Sequence, residues 1–160
     1  MRNPMIFAKG VTLFLLLVLV IAGQQARAQN QTPANAALVG WTDPATGLTW
    51  TTADNGSDVN WDQAKAYCSN LRLGEYSDWR LPTIDELWGI YDTGINIPGQ
   101  WSDGDMTTWH VKGNLKISGG QWSSSQLGAK YAWRFAFNSG NRTSLRFDYN
   151  SYNRALCVRR

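Results

Sequence analysis

The stretch Asn60-Trp61-Asp62-Gln63-Ala64-Lys65-Ala66-Tyr67-Cys68-Ser69-Asn70-Leu71 decides the fold. Asn60 is a favourable helix N-cap, and Gln63 stands three residues later, the register of a capping box in which each side chain satisfies the other's backbone N–H. From Trp61 onward, Trp61, Ala64, Tyr67, Cys68 and Leu71 recur at helical spacing and form one apolar face. Cys68 lies on that face, so its partner must come from whatever packs against the helix. Gly74 closes the segment.

Moving downstream, Leu81-Pro82-Thr83 announces a second helix, with Thr83 and Glu86 as another capping box. Its stripe is Leu87, Ile90 and Tyr91, joined on the inner face by Ile84. Residues 92–120 show no sustained period and read as a long loop, a length that in a compact domain usually carries function or mobility. Four strand candidates follow, at 121–124, 131–137, 143–149 and 155–159. In the second of these, Tyr131, Trp133, Phe135 and Phe137 alternate onto one side, which sends Arg134 outward on the other. Upstream, residues 38–41 and 48–51 are strand-like and are joined by Asp43-Pro44-Ala45-Thr46-Gly47, where Pro fixes φ and Gly accepts a left-handed position. Strands, two helices, a long loop and then a sheet make an α+β fold: two helices packed on a mostly antiparallel sheet in one domain, residues 38–160.

The leader reads as an address. Arg2 and Lys9 precede an apolar run from Val11 to Ala22, and Ala26-Arg27-Ala28 supplies small residues at the −3 and −1 positions of a cleavage site. That run is shorter than the roughly 20 residues of a membrane span. The expectation is a signal peptide over residues 1–28, a flexible leader over 29–37, and a secreted or periplasmic product whose only dealing with the membrane is export. Of the 15 Lys and Arg, three (Arg2, Lys9, Arg27) lie in that leader, so beyond it twelve basic residues balance the 12 Asp and Glu. A neutral domain gives no argument for nucleic acid. The two Cys of an exported chain, Cys68 and Cys157, are expected as a disulfide. All nine Trp lie beyond the leader, where indoles serve cores and sugar-stacking platforms alike.

The segments Trp41–Trp50, Asp78-Trp79-Arg80-Leu81-Pro82-Thr83, Gln121-Trp122-Ser123-Ser124-Ser125 and Ala155-Leu156-Cys157-Val158-Arg159 together resemble the Lcl C-terminal domain family, named after the C-terminal domain of a collagen-like bacterial adhesin. The resemblance spans essentially all of residues 38–160. It implies a C-type-lectin-like fold and, for the named adhesin, binding of sulfated polysaccharides. In such folds the first helix is commonly disulfide-bonded to the last strand, which matches the positions of Cys68 and Cys157. The second disulfide common in these folds is absent.

Chemistry is sparse. His110 is the only histidine, and no nucleophile-elbow pattern occurs, so no catalytic residue is assigned. No cofactor is expected. The calcium-dependent sugar-binding tripeptides of true C-type lectins are missing. The acidic pairs Asp54/Asp58 and Asp103/Asp105 fit solvated turns better than calcium loops, so no metal ligand is assigned either. Arg80 beside Trp79 suits a cation–π or carboxylate pair. The candidate ligand-binding residues are Trp101, Asp103, Asp105, Trp109, His110 and Trp122, which set flat apolar rings beside polar groups. A second set, Arg134, Arg142, Arg146 and Arg154 with Tyr149 and Tyr152, is suited to acidic groups. The 138–153 segment has the Asn, Ser, Tyr and Arg mixture of adaptable binding surfaces, and resembles the variable regions of diversity-generating retroelement target proteins. The expected partner is a glycan, with a surface-exposed protein as the alternative; the sequence sets no oligomeric state.

Overall fold

A computed structural model describes residues 39–160, so the expected signal peptide and leader lie outside the described residues. Among the described residues no helix is long and apolar enough to cross a membrane. Among the described residues the architecture is mixed α and β, with two α-helices and three small sheets.

Both helices begin where their caps place them. In α1 (Trp61–Asn70), the Asn60 side chain accepts from Gln63 N while Gln63 accepts from Asn60 N, each at 2.9 Å. In α2 (Ile84–Gly89), Thr83 and Glu86 form the same reciprocal pair. The first helix ends at Asn70, before Gly74. Leu71 already turns extended, and Gly74, at φ 63°, takes the next bend, where a Cβ would press on Val39. Of the expected face of α1, Trp61, Ala64 and Cys68 are buried, whereas Tyr67 stays exposed.

The first sheet joins the two ends of the domain: β1 (Trp41–Thr42) and β9 (Val158–Arg159) both pair antiparallel with β2 (Thr49–Trp50). Arg80 and Val158 exchange both backbone hydrogen bonds at 2.9 Å, which ties the Trp-Arg-Leu-Pro-Thr run to the terminal strand. The 92–120 segment, read from sequence as a loop, contains a hairpin of β3 (Ile97–Gln100) and β4 (Met106–Trp109). Gly99 in β3 is required by packing, since a Cβ there would overlap the Trp109 indole.

The main sheet has the order β7-β6-β5-β8, from β5 (Gly120–Leu127), β6 (Tyr131–Ala136), β7 (Asn141–Arg146) and β8 (Asn153–Arg154). It is antiparallel except for the β5–β8 pair, and β5 carries a bulge between Trp122 and Gln126. Strand β6 is covered on both faces. Phe135 packs with Ile84, Leu87 and Ile90 of the α2 region, and Ala132 packs with Trp61, Ala64 and Cys68 of α1. Cys68 and Cys157, 89 positions apart in sequence, form a disulfide inside the α1-side core with Cα atoms 5.5 Å apart. Trp61 completes the anchoring of α1: its Nε1 donates to Ser123 O at 2.8 Å, and its ring stacks on Phe147 at 4.2 Å.

Candidate functional site

The strongest surface constellation starts at α2. Its buried stripe is Ile84, Leu87 and Ile90, which turns Trp88 to the other flank with 48 % of its surface exposed. An indole held half in water needs supports, and it has three. The Trp88 ring meets Phe135 edge-on at 5.9 Å, lies tilted against Tyr91 at 5.6 Å, and carries the Arg142 guanidinium over its face at 4.7 Å. Arg142 arrives from β7, directly opposite Phe135 in register, and donates Nη1 to Asp85 Oδ1 at 3.0 Å. Tyr91 in turn meets His110 edge-on at 6.0 Å, and His110 Nδ1 lies 2.7 Å from Ile95 O. Gly140, at φ 73° in the β6–β7 turn, leaves room for Tyr91, whose Cε1 would otherwise stand 2.9 Å from a Cβ. The Trp88 ring is thus bordered by a guanidinium and a phenol ring, with a carboxylate held on that guanidinium and an imidazole beyond the phenol, and such rings and polar groups together suit stacking on sugar C–H faces and bonding to hydroxyls. The Asp85–Arg142 pair is exposed and contributes little stability, so both groups are free to exchange partners.

The residues expected from sequence divide by location. Arg142 and His110 belong to this surface. Trp101 packs edge-on against Trp109 at 5.0 Å, and only Trp101 keeps an exposed portion; Trp109 is core. Asp103 and Asp105 form the hairpin tip, where Asp103 Oδ1 accepts from Asp105 N at 3.1 Å. Trp122 is fully buried and donates Nε1 to Val59 O at 2.8 Å, so it is a core residue. Arg154 is also interior, at 3 % exposure: it pairs with Asp58, and its Nε donates to Ser118 Oγ at 3.0 Å. Asp54 accepts from Ser118 N at 2.7 Å, Ser118 Oγ at 2.9 Å, Gln121 Nε2 at 2.9 Å and Gly56 N at 3.1 Å, which consumes its lone pairs. Both acids of the 54/58 pair therefore serve an internal polar network.

Arg134 does not project freely outward. Its face of β6 is covered from the α1 side, and its guanidinium lies across Gly120, where a Cβ would overlap Nη1. Burial pushes its pKa down, partly opposed by Tyr149, and its Nε is buried without a partner. Arg146 lies on the same sheet face as Tyr131 and pairs with Asp148 through two hydrogen bonds at 3.0 and 3.1 Å. Tyr149 and Tyr152 are exposed, the latter at φ 59°. Arg80 forms the carboxylate pair that its setting suggests, with Glu86 at 2.6 and 2.8 Å. That hydrogen-bonded guanidinium holds the Glu86 carboxyl below its ordinary range against the opposing effect of burial.

Two depressions flank the helices, one beside each. A shallow groove of about 580 Å³ runs along the exposed flank of α1, with Asn55, Tyr67 and Arg72 among its walls. A tighter cleft of about 230 Å³ lies beside α2, between Asp43, Thr46, Leu48 and Trp50 on one side and Asp85, Glu86, Gly89 and Ile90 on the other. The Trp50 indole is fully buried, and its Nε1 has no hydrogen-bond partner in the protein. Leaving such a donor unpaired costs about 1–3 kcal/mol.

Sequence reasoning passed over Trp88, Asp85 and Tyr91 as site residues. A signal for Trp88 was present: a large indole at a position outside the apolar stripe of an amphipathic helix has no core to enter.

No curated protein matches the chain. The model of the Lcl C-terminal domain matches residues 40–159, running from just before β1 into β9. With three quarters or so of its length so matched, the chain belongs to the Lcl C-terminal domain family.

Proposed function

We propose that the chain is an exported, non-enzymatic binding module of C-type-lectin-like fold that holds a surface or extracellular glycan without calcium. The observation that carries this reading is the half-exposed Trp88 indole with Arg142, Asp85 and Tyr91 around it. A stacking face beside exchangeable hydrogen-bonding groups is what a sugar ring requires, and aromatic anchors of this kind dominate recognition energetics. The absence of calcium from the reading is supported by Asp54, which is saturated with donors, and by Asp58, which is paired with Arg154. The non-enzymatic reading is supported by the disulfide, which removes both thiols, and by His110 Nδ1, which is engaged with a backbone carbonyl.

The test is a glycan array read with the protein and with its Trp88→Ala and Arg142→Ala variants, in EDTA and again in calcium. Retention of a glycan set by the parent in both buffers, and its loss in Trp88→Ala, is the expected result. Silence of the parent across neutral and acidic glycans refutes the reading. A second reading, recognition of a protein, is favoured by exposed Tyr149, Tyr152 and Leu127. It predicts capture from envelope extract that survives glycosidase treatment and is lost on proteolysis.

A further inference from the structure

The aromatic–arginine arrangement at Trp88 occurs a second time on the same face of the main sheet. In the β6–β7 register, Phe135 lies opposite Arg142, Trp133 opposite Ser144 and Tyr131 opposite Arg146. Alternate residues of a strand share a face, so these three rungs look the same way. At the first rung, the Arg142 guanidinium covers the exposed Trp88 ring and donates to Asp85. At the third, Arg146 stands directly across from Tyr131, a pairing that sets Cβ atoms about 5 Å apart, and donates to both oxygens of Asp148. Hydrogen bonding to Asp148 does most to raise the Arg146 pKa, and Tyr131 adds to it in the same direction. Each module thus holds a ring, a guanidinium and a carboxylate.

All of these groups reach water. Trp88 and Tyr131 keep 48 % and 42 % of their surface exposed, and both ion pairs are solvated. The rung between them stays open as well, with Trp133 and Ser144 only half-buried. Strand β7 is an edge of its sheet and α2 rests on β5 and β6, which leaves the face of β7 clear beside the helix. Arg142 and Arg146 stand four residues apart on that strand, so at about 3.4 Å per residue the two modules are about 13–14 Å apart. A single sugar ring at one module cannot touch the other, whereas a chain can. Each guanidinium has its own acid, so neither module presents an unbalanced cation that would select a polyanion. Exposed pairs of this kind are weak, and hydroxyls can enter both as donors and acceptors. We propose that Tyr131, Arg146 and Asp148 form a second subsite, and that the ligand is a neutral linear oligosaccharide lying along β7 from Trp88 to Tyr131. The inference rests on the glycan reading above and narrows it to an extended, uncharged chain. A terminal sugar on a branched glycan would use Trp88 alone.

The experiment adds length series to the glycan array: cello-, xylo- and manno-oligosaccharides as neutral chains and hyaluronan as the acidic one, each as disaccharide and hexasaccharide. The parent protein should retain the hexasaccharide of at least one neutral series about tenfold or more above its disaccharide, because a chain engaged at one module meets the other at high effective concentration. Tyr131→Ala should reduce that ratio to about twofold or less. Arg146→Gln, a change at a well-exposed side chain, should lower it in the same direction and keeps the test decisive if Tyr131→Ala folds poorly. Circular dichroism checks cooperative unfolding of both variants. Equal retention of the two lengths by the parent overturns the inference and leaves the glycan reading standing. So does a length preference that survives both variants, retention of hyaluronan alone, or retention confined to branched glycans. Silence of the parent across the whole array overturns both.

Discussion

Removing the Cys68–Cys157 bond is the most quantitative test of how the domain is held. The bond closes a loop spanning 89 residues of sequence, from the third turn of α1 to the residue before β9. In the chain-entropy treatment, a loop of that size subtracts about 15 cal/mol/K from the unfolded ensemble, or about 4–5 kcal/mol at 25 °C. Both sulfurs are fully buried, so alanine is the appropriate replacement, because serine would bury a hydroxyl among Trp61, Trp79 and Trp122. The non-covalent ties remain: Thr51 N donates to Cys157 O at 2.9 Å, and Cys157 N donates to Thr51 Oγ1 at 3.2 Å. A domain of this size is stable by about 5–15 kcal/mol, so the Cys68→Ala/Cys157→Ala protein should stay folded only narrowly. With a urea slope of about 1–2 kcal/mol/M, its unfolding midpoint should fall by about 2–5 M. Urea denaturation followed by tryptophan fluorescence, on the oxidised parent and the double variant, measures this directly. A loss below about 1 kcal/mol at unchanged slope would refute the reasoning, because the unfolded chain would then gain nothing from release of the loop.

Three further outcomes are expected. Trp88→Ala should abolish glycan retention while lowering stability by about 2–3 kcal/mol, since only half of the indole is buried; a cooperative loss of the whole fold would make Trp88 a core residue. Glu86→Gln should flatten the acid limb of the stability profile. The Glu86 carboxyl is held low by Arg80, so its contribution is present above the unfolded carboxylate pKa and is lost as pH falls through the lower folded value. The pair is substantially solvated, which limits the effect to about 1 kcal/mol, and identical acid midpoints for variant and parent would contradict it. Gly113→Ala should cost several times what Gly128→Ala costs in thermal unfolding. Both positions have positive φ, at 75° and 68°, and share the left-handed penalty of about 1–2 kcal/mol, but only at Gly113 would a Cβ overlap the Trp41 ring. Equal costs at the two sites would mean that Trp41 yields freely.

The parts of the fold legible in the sequence are those fixed by short-range chemistry. Asn60 with Gln63 and Thr83 with Glu86 announce two helix starts at three-residue spacing, and both capping boxes form. Trp133, Phe135 and Phe137 share a face, as alternation requires, and pack toward α2. The β3–β4 hairpin was hidden because its pairing is written in packing: Ile97-Pro98-Gly99-Gln100 has no alternation to read, and Gly99 is there to admit the Trp109 indole, ten residues further on, once the hairpin has turned back. Arg134 shows the same limit from the other side. Alternation assigns it correctly to the face opposite Phe135, but only the tertiary arrangement puts α1 over that face, with Gly120 cleared so that the guanidinium can lie flat. Counting alternation predicts which side a residue takes, never what covers that side.

The candidate site follows the same division. Arg142 was visible as a strand arginine, but its meaning depends on a register that sets it opposite Phe135 and under reach of Asp85 on another element. Trp88 and Trp109 are the same residue type in one short segment, and sequence reasoning favoured the wrong one for a surface. Trp109 goes inward because β4 pairs with β3 and closes against the core, whereas Trp88 goes outward because Ile84, Leu87 and Ile90 have already filled the inner side of a six-residue helix. An indole stays at the surface when its element has no interior left to give it. That criterion depends on the competing neighbours, so it can be applied to a sequence only after the apolar stripe of each helix has been drawn and the surplus aromatics counted against it.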